Sequence, residues 1–310
     1  MKPKVVIIAG PTASGKKRLA LETALRFDGE IVSADSRKVY RYLDIGTAKP
    51  APEDRKKIPH HIIDIIDPDE HFSAGDWMHR ASTVVNDIIA RGRLPVISGG
   101  TGFYLTAFRE GLTGGITPEY GVRENLNKEL AREGPSVLYR KLASIDPARA
   151  SELHEHDTVR VVRALEIFYS TGRTFTEIRE NEKFSGGDYT YFTIGVNMAR
   201  ERLYTRINDR VDDMVSRGLV DELKSVLGRG YSRDVPALDT VGYKEWFPYL
   251  DSRDSFGKCL EDVKRNTRRY AKRQLTWFRS VQDVQWIDTS EAPAVPDKLD
   301  ELEQWFMQER

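Results

Sequence analysis

The residues near the start of the chain that are best suited to chemistry form the run Gly10-Pro11-Thr12-Ala13-Ser14-Gly15-Lys16. This run matches the first seven positions of a phosphate-binding loop, G-x-x-x-x-G-K. Its glycines let several backbone N–H groups point at one anion, and its lysine adds a full positive charge. The apolar run Val5–Ala9 predicts a buried strand before the loop, and Lys17–Phe27 predicts a helix after it. This context favours a diphosphate-binding or nucleotide-binding loop over an ordinary glycine-rich turn.

Lys17 stands at the eighth position of the loop, where Ser or Thr normally binds Mg²⁺ through its hydroxyl. A lysine cannot ligate a cation and repels it. Three explanations stay open: magnesium is held elsewhere, Lys17 takes over part of the neutralisation of charge, or Lys17 points away. This position argues against ordinary ATP hydrolysis.

Two further polar segments follow predicted strands. Asp35-Ser36 comes after Glu30–Ser33, and Gly99–Gly102 comes after Leu94–Ser98. Because sites in open α/β sheets form at the carboxyl ends of strands, Asp35 is well placed as a general base. Thr101 offers a hydroxyl. Taken alone, an Asp-Ser pair is more typical of a turn or a helix cap, and the glycines fit a tight turn as well as they fit a ligand contact.

The segment Lys264–Arg279 combines a helical composition with dense positive charge and interleaved aromatic side chains. Phosphate backbones attract such a surface, and aromatic rings can stack on bases. The whole chain has a formal net charge of zero, with 48 Lys and Arg against 48 Asp and Glu. A cluster this tight therefore favours RNA binding over a merely solvated helix face.

Short apolar strands and helices alternate through the first part of the chain, which predicts an α/β fold with a parallel sheet. His61–Ile66 is an expected third strand and Phe72–Ala90 an expected helix capped by Ser73. Tyr189–Val196 is expected to return to the sheet, because it is rich in aromatic and β-branched residues. After Arg200 the chain is expected to be mostly helical.

Two breaks in this pattern predict the division into domains. Gly114, Gly115 and Pro118 form the first break, and residues 185–188 form the second. We therefore predict a core domain of residues 1–111 and 189–310, which includes C-terminal helices, and a helical insertion of residues 112–188.

Composition excludes several classes of protein. The single cysteine, Cys259, rules out a disulfide framework and a cysteine-rich zinc site. No apolar run approaches the roughly 20 residues that span a bilayer, and the N-terminus lacks a signal sequence. We expect a cytoplasmic protein with no membrane partner. His60, His61 and His71 show no metal-ligand spacing and are expected to be structural or surface residues.

With these segments in place, the chain resembles the tRNA dimethylallyltransferase family, also called tRNA isopentenyltransferase. The likeness covers almost the whole chain and is carried by Gly10–Lys16, Ile31–Arg37 with Val39-Tyr40, Asp44–Pro50, Gly99–Tyr104, Arg163–Glu166, Val241–Glu245 and Ala271–Arg279. The resemblance implies a P-loop NTPase-like parallel sheet core, a helical insertion domain that contacts tRNA, and a helical C-terminal region.

The resemblance also implies a reaction. A dimethylallyl group would pass from dimethylallyl diphosphate to the N6 amine of the adenosine on the 3′ side of the tRNA anticodon, at position 37 of the tRNA. The products would be N6-dimethylallyladenosine and diphosphate. The target base would be flipped into a channel, as base-modifying enzymes require. Mg²⁺ is the expected cofactor, tRNA and dimethylallyl diphosphate are the expected partners, and the protein is expected to be a monomer.

Roles for single residues follow from the same resemblance. Asp35 would orient the amine and take its proton, Thr101 would donate a hydrogen bond to a bridging oxygen, and Lys16 would neutralise the leaving group. The donor would lie on Gly10–Lys17. The positions that match tRNA-contacting residues are Asp35, Ser36, Arg37, Lys38, Thr101, Arg123, Val159, Arg160, Arg163, Lys244 and Arg273.

Five positions depart from the family pattern: Lys17, Lys38, Val159, Arg269 and Tyr270. Lys38 and Val159 stand where the family usually or often has Gln, and Arg269-Tyr270 replaces the more usual Gln-Leu. They leave open a tRNA-binding paralogue with lost or altered activity. A phosphate-loop kinase is a second alternative, but it would need a hydroxyl at position 17 and leaves the basic helix unexplained. An adenylate isopentenyltransferase is a third, although a free nucleotide needs neither the insertion nor the basic helix.

Overall fold

The computed structural model describes residues 2–112, 120–181, 187–290 and 294–307. Its strands are β1 (Lys4–Ala9), β2 (Gly29–Ala34), β3 (His60–His61), β4 (Leu94–Gly99), β5 (Thr190–Asn197) and β6 (Gln285–Asp288). They form one sheet in the order β3-β2-β4-β1-β5-β6, and every neighbouring pair is parallel. The predicted α/β class with a parallel sheet core is confirmed.

Helices account for most of the remaining described chain. They are α1 (Lys16–Arg26), α2 (Pro52–Lys57), α3 (Ala74–Ala90), α4 (Gly102–Glu110), α5 (Tyr120–Glu133), α6 (Pro135–Ile145), α7 (Pro147–Ser151), α8 (Thr158–Thr171), α9 (Phe175–Asn181), α10 (Arg200–Ser216), α11 (Leu219–Gly228), α12 (Phe247–Leu250), α13 (Phe256–Arg279) and α14 (Ala294–Met307), with a 3₁₀ turn at Lys244–Trp246. No helix in the described ranges is long and apolar enough to cross a membrane.

The chain divides into two compact units. The first comprises Met1–Phe72, Arg80–Leu105 and Asp188–Arg310, and the second comprises Ser73–His79 and Thr106–Gly187. The boundaries predicted at residues 112 and 188 stay a prediction. Gly114, Gly115, Pro118 and residues 185–186, on which those boundaries depended, lie outside the described residues.

Burial on both faces explains the composition of the central strands. Val5–Ile8 in β1 have no exposed surface, and β2 is buried along its whole length. Leu19 of α1 and Leu302 of α14 pack in the same apolar cluster as Val6 and Ile8. Burial on both faces favours apolar residues, which is why β1 is a continuous hydrophobic run, although β2 also buries Glu30 and Ser33.

A separate cluster joins α10 to α13 in the first unit through Leu203, Ile207 and Ala271. The second unit has its own apolar core, in which residues of α5, α6 and α8 meet, including Leu138 and Leu165. Burial of this apolar surface is the main force that stabilises each unit.

The predicted start of α3 is confirmed in detail. The Ser73 N–H donates to Asp76 Oδ2 at 2.8 Å, and the Asp76 N–H donates to Ser73 Oγ at 3.1 Å. This reciprocal pair satisfies donors that the first turn of a helix otherwise leaves unpaired.

Two predicted elements differ from the structure. The strand expected at His61–Ile66 pairs with β2 only at His60 and His61, because Ile62 and Asp64 adopt left-handed φ values of 60° and 58° that end the strand. The C-terminal region contains β6, which was not predicted and pairs with β5 at the sheet edge. Its four residues are too short a run to carry a clear alternating pattern.

Candidate active site

The register of the sheet brings three loops to one edge. Gly99 at the end of β4 lies opposite Ala9 of β1 and Ala34 of β2, so these three strands end level with one another. The Thr101 N–H then donates to the carbonyl oxygen of Ala34 at 3.2 Å. The phosphate loop, the segment after β2 and the turn after β4 therefore begin side by side, at the edge where open α/β sheets bind their ligands.

The phosphate loop has the backbone conformation that anion binding needs. Ala13 and Gly15 have φ values of 63° and 96°, and Gly15 is the N-cap of α1. Only glycine adopts such a φ without a steric cost, which explains its place before the lysine. The amides of Gly15, Lys16 and Lys17 make no hydrogen bond to any described residue. They are available to an anion at the positive end of the helix dipole.

One cavity of about 760 Å³ contains the phosphate loop and the segment Asp35–Lys38, a volume typical of small-molecule sites. Its walls are completed by residues of α10 and α13. Eleven lysines and arginines line it against two carboxylates, Asp35 and Asp239, among the described residues. In a chain of zero net charge, this imbalance marks the cavity as a site for anions.

Lys16 is the lysine of the phosphate-loop motif. Burial, together with the charges of Lys38 and Arg210, lowers its pKa to about 7 against the opposing effect of Asp35. Its ammonium donates to the carbonyl oxygen of Pro11 at 2.9 Å, and no described carboxylate lies within 4 Å of it. A cation held in this way gains more from a bound phosphate than an exposed lysine would.

Lys38 shares this environment. Burial lowers its pKa, Asp35 partly offsets that effect, and the charges of Arg210, Lys17 and Arg55 add to it. The described residues offer no carboxylate within ion-pair distance of Lys38 either. The resemblance placed Lys38 among tRNA-contacting positions, and the structure places it beside the phosphate loop.

Asp35 and Thr101 are brought together as the sequence predicted. The Ser36 N–H donates to Thr101 Oγ1 at 3.1 Å, which ties the segment after β2 to the turn after β4. Asp35 Oδ1 accepts from the Arg37 N–H at 2.9 Å, the contact of an Asp turn. Asp35 therefore makes a turn contact with one carboxylate oxygen and also lines the cavity. Its role as a general base stays a prediction.

Gln274 of α13 was missed by sequence reasoning. Its Oε1 accepts from the Thr12 N–H at 2.9 Å and its Nε2 donates to the carbonyl oxygen of Gly100 at 2.8 Å. A Cβ atom at position 100 would lie 2.3 Å from that Nε2, so Gly100 is needed for this close approach. Gln274 therefore fixes the phosphate loop and the turn after β4 in one geometry.

Arg210 and Tyr270 are two further cavity residues that the sequence analysis did not single out. Burial lowers the pKa of the Arg210 guanidinium, which Asp35 opposes and Arg206 reinforces. Burial, together with the charge of Asp35, raises the pKa of Tyr270 to about 12. The spacing of Arg206 and Arg210, one helical turn apart, is the signal that could have revealed the arginines.

The basic segment Lys264–Arg279 lies within α13 and serves two different purposes. Lys264 forms an ion pair with Asp212, and Arg268 donates to Asn208 of α10. Tyr270, Arg273 and Gln274 line the cavity instead. Much of the charge predicted to meet RNA is thus used within the protein.

The remaining predicted tRNA contacts of the first unit lie at the rim of this cavity. Arg37 donates to the carbonyl oxygen of Pro236 at 2.9 Å, and Lys244 pairs with Asp239 at 2.9 Å. Arg273 is exposed, with its guanidinium 5.9 Å from the ring centre of Tyr270.

The second unit holds the other predicted tRNA contacts. Arg123 and Arg163 both donate to Glu166 Oε2, at 2.6 and 2.9 Å. Glu166 is 1% exposed, so the two arginines compensate a buried charge. Arg160 pairs with Asp157 at 3.1 Å and is largely exposed, and Val159 is 79% exposed.

The residues at the phosphate loop do not fit a divalent cation. Lys17 replaces the hydroxyl ligand, and its ammonium pairs with Asp54 Oδ2 at 2.8 Å. Throughout residues 2–112, 120–181, 187–290 and 294–307, no three His, Cys, Asp or Glu side chains are grouped so that they could hold a metal. The eighth position of the loop therefore offers no hydroxyl ligand to the Mg²⁺ expected from the resemblance, and that cofactor stays a prediction.

Comparison with known proteins identifies the family. The model of the IPP transferase family matches residues 38–281. The chain belongs to the IPP transferase family. The protein named tRNA dimethylallyltransferase in Geobacter sulfurreducens is 45% identical over 93% of this chain and 92% of its own length. That of Thermotoga maritima is 42% identical over 96% of this chain and 97% of its own.

Solved structures agree with this membership of the IPP transferase family. The tRNA isopentenylpyrophosphate transferase of Bacillus halodurans is 41% identical, with a TM-score of 0.72 over 99% of this chain and 96% of that one. A eukaryotic dimethylallyltransferase described as acting on tRNA is 29% identical, with a TM-score of 0.86 over 99% of this chain and 80% of that one. The family model begins at Lys38, after the phosphate loop, whereas these structural matches extend over nearly the whole chain.

Proposed function

We propose that this IPP transferase moves a dimethylallyl group from dimethylallyl diphosphate to the N6 amine of adenosine 37, beside the tRNA anticodon. The observation that carries the proposal is the union of a phosphate loop, Asp35 and Thr101 at one sheet edge. A cationic cavity holds a diphosphate, and a carboxylate beside it can receive the proton of an attacking amine. The relatives named tRNA dimethylallyltransferase support the choice of substrates.

The donor diphosphate would be bound by the amides that open α1 and by the charges of Lys16 and Arg210. The N6 lone pair attacks the allylic carbon C1, the bond between C1 and the diphosphate oxygen breaks, and its electrons leave with diphosphate. These cations stabilise the negative charge that develops on the leaving oxygen.

Asp35 and Thr101 act at the reacting centre. The second carboxylate oxygen of Asp35, which is not used by its turn, accepts the proton that N6 loses. Thr101 Oγ1 accepts a hydrogen bond from the Ser36 N–H, so its own hydrogen is free to point elsewhere. We assign that hydrogen to the bridging oxygen of the donor, where it assists departure of diphosphate.

The tRNA backbone would meet the exposed cations at positions matched by the resemblance. Lys244 and Arg273 supply them in the first unit, and Arg160 supplies one in the second. Such contacts fix the register of the RNA, while the flipped base supplies specificity. A monomeric state and a cytoplasmic location are part of the same proposal.

The test is a transfer assay on the full chain. Purified protein is incubated with dimethylallyl diphosphate, Mg²⁺ and unmodified tRNA whose anticodon loop carries adenosines, and the digested RNA is analysed by mass spectrometry. We expect adenosine plus one dimethylallyl group. The product should disappear in Asp35→Ala and persist in Asp69→Ala, a matched control because Asp69 is an exposed carboxylate that does not line the cavity.

The opposite results are equally informative. Binding of tRNA without any product would favour a tRNA-binding paralogue that has lost activity, with Lys17 and Lys38 as the first positions to revert. Release of phosphate from ATP onto a small acceptor would favour a kinase. Modification of free adenylate in preference to tRNA would favour an adenylate isopentenyltransferase.

A further inference from the structure

We propose that side-chain cations replace the divalent metal ion at this phosphate loop. Lys38 supplies the positive charge that the metal ion would otherwise bring to the bound diphosphate. Donor binding in this chain therefore needs no Mg²⁺. The inference rests on the proposed function for the identity of the anion, a diphosphate ester, and it goes beyond that function in assigning the chain a different means of neutralising charge.

The phosphate loop of this chain lacks the residue that normally ligates a metal ion. A metal bound at a phosphate loop takes a hydroxyl ligand from the eighth residue, which here is Lys17. The Lys17 ammonium lies 2.8 Å from Asp54 Oδ2, so the nearby carboxylate is already engaged by a lysine. A divalent cation placed there would lose its ligand and meet a positive charge.

The direction of the Lys17 side chain, which the sequence left open, is fixed by its ion pair with Asp54. Of the three explanations, the structure favours a lysine whose ammonium is directed to Asp54. Lys17 is therefore not the main substitute for the metal. Its half-exposed ion pair lowers the pKa of Asp54, which keeps that carboxylate charged and paired.

Lys38 is placed to take over the neutralisation of charge from a metal ion. Lys38 lines the same cavity as the phosphate loop and is close enough to Lys16 for its charge to lower the pKa of Lys16. Neither lysine has a described carboxylate within 4 Å, and Arg210 joins them from α10 with the same lack of an ion pair. Three cations with one opposing carboxylate, Asp35, thus face the space beside the loop.

The repulsion among the cations of the cavity favours the binding of a polyanion. Like charges in a shared, partly desolvated cavity repel one another, and a polyanion removes that repulsion when it binds. Ser14 strengthens the case, because its hydroxyl is fully buried on the loop and makes no hydrogen bond within the described chain. The cavity is therefore arranged for a diphosphate without a companion metal.

The test measures binding rather than turnover. Isothermal titration calorimetry with inorganic diphosphate is carried out on the full chain in EDTA and again in excess Mg²⁺. We expect diphosphate to bind at least as tightly in EDTA as in excess Mg²⁺, because Mg²⁺ complexed to diphosphate reduces the negative charge that Lys16, Lys38 and Arg210 receive. Lys38→Gln should weaken binding in EDTA by at least about tenfold, as expected for a lost charge-assisted contact, whereas Lys38→Arg should retain it.

The double variant Lys17→Thr with Lys38→Gln restores the hydroxyl and removes the repelling charge. In it, Mg²⁺ should strengthen diphosphate binding by about tenfold or more. Lys56→Gln is the matched control, because Lys56 is an exposed lysine of α2 outside the cavity and should behave like the unaltered chain. Thermal unfolding of every variant checks that it is folded.

Several outcomes would overturn the inference. It fails if EDTA abolishes diphosphate binding to the unaltered chain and Mg²⁺ restores it, or if Lys38→Gln binds as well as Lys56→Gln does. A dimethylallyl product in the transfer assay together with such a metal requirement would leave the proposed function intact and reject only this inference. Metal-free diphosphate binding without any product in that assay would support the cationic site and reject the proposed function.

Discussion

Lys16, Lys38 and Arg210 in the first unit contrast with Arg123 and Arg163 in the second. The first three lie in a cavity, and no described carboxylate is within ion-pair distance of any of them. The two arginines instead share one oxygen of a buried glutamate. The same kinds of side chain are thus held uncompensated in one region and compensated in the other.

The difference separates a ligand site from a structural cluster. Repulsion among uncompensated cations costs stability in the ligand-free protein and is relieved when an anion binds, so it favours binding. The Glu166 cluster stabilises the second unit whether or not RNA is present. A match to the tRNA-contacting positions of the family therefore means something different for Arg123 than for an exposed residue such as Arg160.

Among the variants that test the difference between the two regions, Lys16→Met should have the largest effect on binding. Removing the phosphate-loop cation should weaken diphosphate binding by about 10- to 100-fold, the usual range for a charge-assisted hydrogen bond. The melting temperature of the ligand-free variant should change little, because no described carboxylate lies within 4 Å of the lost ammonium, whose hydrogen bond among the described residues is to the carbonyl oxygen of Pro11. Calorimetry with inorganic diphosphate and thermal unfolding measure the two effects. A clear loss of stability would show that Lys16 is compensated after all.

Arg123→Gln should have the opposite effect on stability. Glu166 would lose the two hydrogen bonds from Arg123 and would retain one from Arg163 while it stays buried. We expect the free energy of unfolding to fall by about 1–3 kcal/mol, the cost of leaving a buried group poorly satisfied. Denaturant unfolding measures it, with Arg160→Gln as the exposed control. An unchanged stability would break the comparison between the two regions.

The pH dependence of donor binding tests whether Lys16 must be protonated to bind the diphosphate. Lys16 has a pKa of about 7 in the free protein, and a bound diphosphate raises that pKa. Binding above pH 7 must therefore take up a proton, so affinity should fall by up to about tenfold per pH unit as pH rises above 7. Diphosphate titrations between pH 6 and pH 9 measure this. In Lys16→Arg this part of the pH dependence should vanish, while the ionisation of the ligand itself remains in both proteins.

The smallest effect is expected for Arg160→Gln. Its exposed pair with Asp157 should contribute little, so the melting temperature should be unchanged. Its phosphate contact should be lost, which weakens tRNA binding several-fold and reduces the magnitude of the salt dependence by about one unit of slope. Filter binding at several salt concentrations measures both. An unaltered salt dependence of tRNA binding would show that Arg160 does not contact the RNA backbone.

The sequence predicted the parts of the fold that depend on local pattern. The apolar runs at β1 and β4, the segment before Asp35-Ser36 at β2, and the aromatic and β-branched residues at β5 located these four strands to within one residue at each end. The loop between β1 and α1 followed from glycine spacing. β6 was missed because it has only four residues and lies at the sheet edge. An edge strand is less buried than a central one, so it need not be continuously hydrophobic.

The rest of the candidate site could not be predicted because it depends on contacts between distant positions. Gln274 meets Thr12 across 262 residues of sequence. The pairing of Lys17 with Asp54 needs the loop that leads to α2, and nothing in the local pattern indicates it. Arg210 looks like any polar position on an amphipathic helix until α10 is placed against the cavity.

The contacts of Gln274 and Thr289 with the phosphate loop have a consequence for the protein as it is made. Thr289 Oγ1 donates to the carbonyl oxygen of Ser14 at 2.7 Å, so two residues of the C-terminal region hold a loop near the start of the chain. While the ribosome is still adding residues before position 274, a growing chain lacks both of these contacts. A nascent chain or fragment that ends before residue 274 should therefore hold a prenyl diphosphate less well than a chain that includes residues 274 and 289.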